Sequence, residues 1–445
     1  MLSHNHTESS TEPLSRNAFI DGILWGGNRW SDNTISYSFS SGNSLDGTQD
    51  WNRGEREVFE AALASWEAVI DIEFVLVEDD DPNANFKLNL ATNIPDNILG
   101  FFGPPGEANA GEGYFNWQEL GGENFADLEP GSFGFMVIIH EIGHGLGLAH
   151  PHDRGGESNL FPGLYSSLTP ETSFGSNGLN QGIWTTMSYN PGLNDRGVQG
   201  SPMAFDIAAV QHLYGENREF AAGDDTYTLP TSNTGSVYYQ GIWDTGGVDE
   251  IIAPRTRLDT TIDLRNAPLV GSNAGGYVSA ITDVYGGFTI ANGVEIENAQ
   301  GSLGDDELIG NQLANELVGN DGEDRLIGGT EDDILVGGNG NDTLVGIDAD
   351  GFSFGSGEYD RLTGNAGADI FVLGDSQEIY YQGRGYGTII DLDNAAGDTI
   401  QLSGAASEYT FHNRDNGTFI RHDGDAIGFV VGENDLLENA ELRFV

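Results

Sequence analysis

The chain has 445 residues, more than one compact core accommodates, so two or three domains are expected. With 70 Asp+Glu against 17 Lys+Arg, the formal net charge of −53 repels phosphate backbones and anionic lipid alike, which argues against nucleic acid as a partner and points to bound divalent cations or to adaptation to salt water. Cysteine is absent, so no disulfide staples the fold, and any metal must be held by His, Asp, Glu, Tyr or carbonyl oxygen.

The opening stretch MLSHNHTESSTEPLSRNAFIDG has no apolar run flanked by basic residues. Residues 1–29 are therefore read as a polar, mobile leader rather than a secretory signal. Ile35, Tyr37 and Phe39 alternate with polar residues and predict a first strand. Between Gly54 and Ile70 the apolar positions Val58, Phe59, Ala62, Leu63, Trp66, Val69 and Ile70 follow helical spacing. Two strands should follow, over 72–77 and around Phe86, Leu88 and Leu90, then helices over about 132–146 and 202–214, the last opened by Pro202 and closed by Gly215. These elements define a first domain over 30–215 with a mixed sheet and helices. Residues 216–300 turn to short β-type runs punctuated by Gly, Asn and Asp, a β linker. No stretch of 18 apolar residues occurs, so no membrane span is expected.

From Gly301 the sequence repeats in nines: GSLGDDELI, GNQLANELV, GNDGEDRLI, GGTEDDILV, GGNGNDTLV, GIDADGFSF, GSGEYDRLT and GNAGADIFV. Glycine opens all eight windows without a slip, position six is Asp in six of them, and position eight is Leu or Phe in seven. A flexible linker has no reason to keep an inward-pointing apolar residue in phase; a parallel β-roll with calcium in its turns does. Asp306, Asp324, Asp333, Asp342, Asp360 and Asp369 are the expected calcium ligands of 301–372, while Asn315 and Gly351 should weaken the turns they occupy. Residues 373–445 are read as a C-terminal β segment.

His140-Glu141-Ile142-Gly143-His144 puts two imidazoles on one helix face, and Gly147 can end the helix so that the chain returns His150 as a third ligand. Three neutral imidazoles leave one tetrahedral position for a water whose pKa zinc lowers to about 7, with Glu141 placed to take its proton. His152 is read as a solvated loop residue.

On these residues the chain resembles the serralysins, the bacterial branch of the metzincin endopeptidases that carries repeat-in-toxin nonapeptides. Pro151, Asp153 and the stretch Thr186-Met187-Ser188-Tyr189 are similar to that branch. The resemblance implies that Met187 floors the metal and that Tyr189 binds zinc at rest and swings away to stabilise the tetrahedral intermediate. It also implies a structural helix from Asp206 to Gly215, and a linker calcium loop of Asp244, Gly246, Gly247 and Asp249 completed by Glu297. The expected architecture is α+β and multidomain, a metzincin-like zinc protease domain followed by an all-β C-terminal domain with a parallel β-roll. One catalytic zinc and several structural calcium ions are its cofactors. The resemblance further implies that the leader within residues 1–29 is a short pro-segment and that residues 373–445 carry the signal for export through a type I secretion apparatus; extracellular action on internal bonds of protein or peptide substrates and a monomeric state complete the expectation. The competing readings are a calcium-dependent adhesion or matrix protein with a non-proteolytic zinc site, and a zinc hydrolase of non-peptide substrates.

Overall fold

The computed structural model describes residues 8–43, 47–95, 98–116, 128–165, 173–190, 197–347, 355–433, 436 and 441–445. The N-terminal portion is built on β1 (Ser9–Thr11), α1 (Ala18–Asp21), β2 (Asn28–Trp30), β3 (Thr34–Phe39), β4 (Thr48–Gln49), α2 (Arg53–Glu67), β5 (Glu73–Leu76), β6 (Phe86–Ala91), β7 (Gly100–Phe102), β8 (Glu112–Asn116), α3 (Phe133–Gly145) and α4 (Ala204–Tyr214). Its main sheet has the order β5-β3-β6-β8-β7, with β4 paired to β6; β7 runs antiparallel to β8 at the edge. Helix α2 starts from a capping box between Asn52 and Glu55 and buries Phe59, Ala62, Leu63 and Trp66. Phe59 meets Phe39, Trp51 and Phe115 edge-on, an aromatic layer that joins helix to sheet. Trp66 donates its indole N–H to the carbonyl of Ile139 and so ties α2 to α3.

Residues 20–25 behave otherwise than a mobile leader. Ile20, Ile23 and Leu24 are buried, and the chain around them pairs with the turn after α3: Trp25 N–H donates to Gly147 O at 2.7 Å, and Ala149 N–H to Ile23 O at 2.8 Å. The apolar triplet is too short to announce itself in a polar stretch, and only its partner across the turn explains it.

Downstream, strands alternate between two large sheets. Thr260–Asp263, Glu307–Ile309, Arg325–Gly329, Thr343–Ile347 and Ile370–Val372 stack in parallel in the eight-stranded sheet; Glu250–Ile252, Asn298–Gln300, Glu316–Asp321, Ile334–Asn339 and Arg361–Ala366 do so in the ten-stranded one. Leu308, Leu317, Leu326, Leu335, Leu344, Leu362 and Phe371 point inward and are buried. Neither sheet breaks at residue 300, because linker strands continue both stacks. The unbroken sequence register does slip in space. Leu326 pairs with Leu344, 18 residues on, but Leu335 pairs with Leu362 and Leu344 with Phe371, each 27 on. The pairing thus passes over one window of nine, and Gly351 within it lies outside the described residues.

Candidate metal centre and active site

Helix α3 begins at Ser132, whose side chain accepts the amide of Phe135, and carries His140 and His144 one turn apart on a buried face. Gly147 then turns the chain with φ +103°; a Cβ there would stand 2.3 Å from the carbonyl oxygen of Asn28 on β2, so only glycine permits both the conformation and the close approach. The return brings His150 Nε2 to 3.1 Å from His140 Nε2 and 3.0 Å from His144 Nε2.

Each imidazole is oriented through its other nitrogen. His140 Nδ1 meets Thr186 O at 2.7 Å, His144 Nδ1 meets Leu148 O at 2.9 Å, and His150 Nδ1 meets Asp153 Oδ2 at 2.5 Å. All three partners are acceptors, so the network assigns the proton to Nδ1 and leaves three bare Nε2 lone pairs facing one another. Burial lowers His140 to about 4 and pushes His144 and His150 well below the ordinary histidine range, which keeps the rings neutral. Three converging lone pairs without a proton between them repel unless a cation joins them. Zinc, at ~2.0–2.1 Å from each nitrogen, fits this donor set.

Glu141 follows His140 on α3 and is buried against Gly100 of β7, where a Cβ would meet its Cγ at 2.7 Å. Burial alone pushes its carboxyl up to about 8. Met187 is fully buried under α3, its sulfur 2.8 Å from where a Cβ on Gly143 would be. Tyr189 is half exposed at 51 %, with its ring 4.5 Å from that of His150 and 5.8 Å from that of His140. His152 departs from expectation: it is only 8 % exposed and stacks parallel on His150 at 5.0 Å, with Tyr189 5.0 Å away on another side. Spacing alone carried no sign of that stack, because the turn at 151–154 sets it. His140, Glu141 and Tyr189 border a cleft of about 790 Å³ whose walls include Ile98, Leu99, Met136, Val137 and Val198, with Val237 and Tyr285 supplied by the C-terminal portion.

The expected calcium ligands form two groups. In the linker, carboxylates of Asp225, Asp244 and Asp249 lie within 4.8 Å of one another. Asp225 was not singled out from sequence, whereas Glu297 stands behind the group, its Oε2 accepting the amide of Asp249 at 2.7 Å. Gly246 and Gly247 shape the loop, and the amide of Gly246 donates to Asp244 Oδ1. In the roll, Asp306 N–H donates to Asp324 Oδ1, Asp324 to Asp342, Asp342 to Asp369 and Asp369 to Asp398, a ladder that outlasts the repeats by one rung. The other edge reads Asn315, Asp333, Asp360, with Asn315 amide hydrogens bonded to Glu297 O and Asn311 Oδ1 in place of a charged oxygen. Among the described residues, Oδ2 of Asp249, Asp324, Asp333, Asp342 and Asp369 is buried without a hydrogen bond. A Cβ on Gly319, Gly328, Gly337 or Gly364 would fall 2.2 Å from the Oδ2 of its own window's Asp, so window-opening glycines keep that space clear. Orphaned, crowded carboxylate oxygens fit a hard cation such as calcium.

Three imidazoles on a helix and its return turn, floored by a buried methionine and followed by a parallel roll, define a metzincin-type metal centre joined to a repeat domain. The chain's residues 29–171 match the matrixin family model, and residues 205–419 match the model for the peptidase M10 serralysin C terminus. It is 32 % identical over 283 residues to a serralysin of Photorhabdus laumondii, covering 60 % of this chain and 55 % of the relative. A serralysin of Proteus mirabilis is 31 % identical over 296 residues, 60 % of this chain and 56 % of its own length. A metallopeptidase AprA of Pseudomonas marginalis is 29 % identical over 300 residues, 63 % and 59 % respectively. The chain thus spans between half and two thirds of the length of these relatives, and its N-terminal and C-terminal portions are each similar to those of the serralysin-type metzincins. No helix among the described residues is long and apolar enough to cross a membrane.

Proposed function

We propose that the chain is a secreted, calcium-dependent zinc endopeptidase that cleaves internal peptide bonds of proteins. The observation that carries this reading is the convergence of three bare Nε2 atoms beside a buried Glu141, on the wall of an apolar cleft wide enough for a peptide side chain. Held by His140, His144 and His150, zinc supplies a Lewis acid that polarises a carbonyl and acidifies water. Glu141 takes the proton of the attacking water on its carboxylate and delivers it to the departing amine. Its burial holds the proton up to about pH 8, and a cation held by the neutral imidazoles would favour the ionised form that a base needs. Tyr189, half exposed beside His150, turns its hydroxyl toward the developing oxyanion. Apolar residues around the cleft exclude water and take up a substrate side chain. Asp244, Asp249 and the roll aspartates hold calcium, and the acidic repeats repel themselves until it binds. Such a chain stays unfolded in low calcium and folds outside the cell after export by a type I apparatus.

The test is the full chain, refolded in calcium and supplied with zinc, against peptide, ester and glycan substrates. Peptide-bond cleavage abolished by chelator is expected. Turnover of esters or glycans alone would overturn the endopeptidase reading, and turnover of none by a folded, zinc-loaded chain favours an adhesive or matrix role.

A further inference from the structure

The two edges of the roll end differently. On the long edge, the Oδ2 atoms of Asp324, Asp342 and Asp369 are buried with no hydrogen bond, and Asp369 passes its amide on to Asp398 Oδ1 at 2.9 Å. On the short edge, Asp333 has the same orphaned Oδ2, but Asp360, the next rung, does not. Its Oδ2 accepts the hydroxyl of Tyr381 at 2.5 Å.

Tyr381 is fully buried and reaches this place from beyond the repeats, on a residue whose φ is +62°. The space it fills is the one the other windows leave clear. A Cβ on Gly337 or Gly364 would meet only the aspartate of that window among its three nearest atoms, whereas a Cβ on Gly346 would meet Asp360 Oδ2 at 2.3 Å and the Tyr381 hydroxyl at 2.2 Å. Calcium sits ~2.3–2.6 Å from its oxygen ligands. The phenol oxygen therefore stands at cation distance from Asp360 Oδ2, on the side where an ion would lie, and its proton occupies the lone pair that an ion would use.

We propose that Tyr381 is a built-in plug that replaces calcium at the Asp360 turn, so that the short edge of the roll takes no ion beyond Asp333 while the long edge is loaded through Asp369. This rests on the reading of the roll as a calcium-binding domain. It removes Asp360 Oδ2 from the ligands expected from sequence and makes the end of the short edge independent of calcium concentration. The physical gain is one fewer buried carboxylate oxygen without a partner at a turn where the pairing has just skipped a window.

The experiment is a calcium count on the full chain after gel filtration in calcium, by elemental analysis, for the parent and for Tyr381→Phe, which removes only the hydroxyl. One additional calcium in the variant is expected. Equal counts in the two proteins would overturn the plug. Anomalous diffraction from calcium-loaded parent crystals tests the same point without a substitution: peaks at the Asp324, Asp342 and Asp369 turns, and none bonded to Asp360 Oδ2, are expected. A peak on Asp360 Oδ2 sinks the proposal, whereas a parent chain with no calcium anywhere in the roll sinks the calcium reading beneath it.

Discussion

Asp206 and Thr186 are joined by a buried hydrogen bond: the Thr186 amide donates to Asp206 Oδ2 at 2.7 Å, and the carbonyl of the same threonine accepts His140 Nδ1–H. Asp206 also accepts the Thr185 hydroxyl and the Met203 amide, so one carboxylate at the start of α4 fixes the turn that floors and orients the metal centre. Asp206→Ala leaves three buried donors without a partner, each costing about 1–3 kcal/mol. A fall in thermal midpoint together with lower zinc affinity is expected, with Asp206→Asn intermediate. A variant as stable and as fully zinc-loaded as the parent would contradict this linkage.

Gly147 is the second fixed point. Gly147→Ala adds a methyl 2.3 Å from Asn28 O at a φ of +103°. Left-handed backbone alone costs about 1–2 kcal/mol for a residue with a Cβ, and the clash adds to it. Because the same turn delivers His150, zinc stoichiometry should drop with stability. Retained zinc binding at parental stability would show that the turn relaxes freely.

Tyr189→Phe keeps the ring beside His150 and His140 and removes the hydroxyl. Loss of one oxyanion donor lowers kcat by about 10²–10³. KM and zinc content should stay close to parental values. A matching rise in KM with unchanged kcat would assign Tyr189 to substrate binding instead.

The roll aspartates make a pH-dependent prediction. Burial, reinforced by neighbouring carboxylates, raises Asp324 to about 8, Asp333 to about 9, and Asp342 and Asp369 to about 6, all from an ordinary value near 3.8. A raised folded-state pKa means the folded chain binds more protons than the unfolded one between about pH 4 and 8, so stability falls as pH rises through that window. In chelator, where the repeats are largely unfolded at neutral pH, the β-structure of the roll read by circular dichroism should therefore be greater at pH 5 than at pH 8. Calcium, which favours the ionised carboxylates, should flatten or reverse the slope. Stability rising with pH in chelator would contradict this account.

Much of this is legible in the sequence alone. The nonapeptide phase fixed the alternation of inward Leu308, Leu317 and Leu326, and HExxH with Gly147 and His150 fixed the imidazole set, because both are short-range periodicities. Strands β7 and β8 were missed, since three and five residues rich in glycine and aromatics carry no clear alternation. His152, Asp225 and Tyr381 were hidden for a different reason. Each acquires its role through a turn or a sheet partner distant in sequence, as Tyr381 does with Asp360. The skipped window was invisible because an inserted unit of the repeat length preserves the written register while shifting the spatial one.

The central claim rests on Glu141, and the most direct measurement is casein hydrolysis by the zinc-loaded, calcium-refolded chain beside Glu141→Ala prepared identically. Proton transfer by a positioned carboxylate contributes about 10²–10⁴ in rate. Cleavage by the parent, with the variant slower by at least about 10² while folded and holding equal zinc, is the predicted result. Equal rates for the two, with equal zinc, would contradict the assignment of Glu141 as the base.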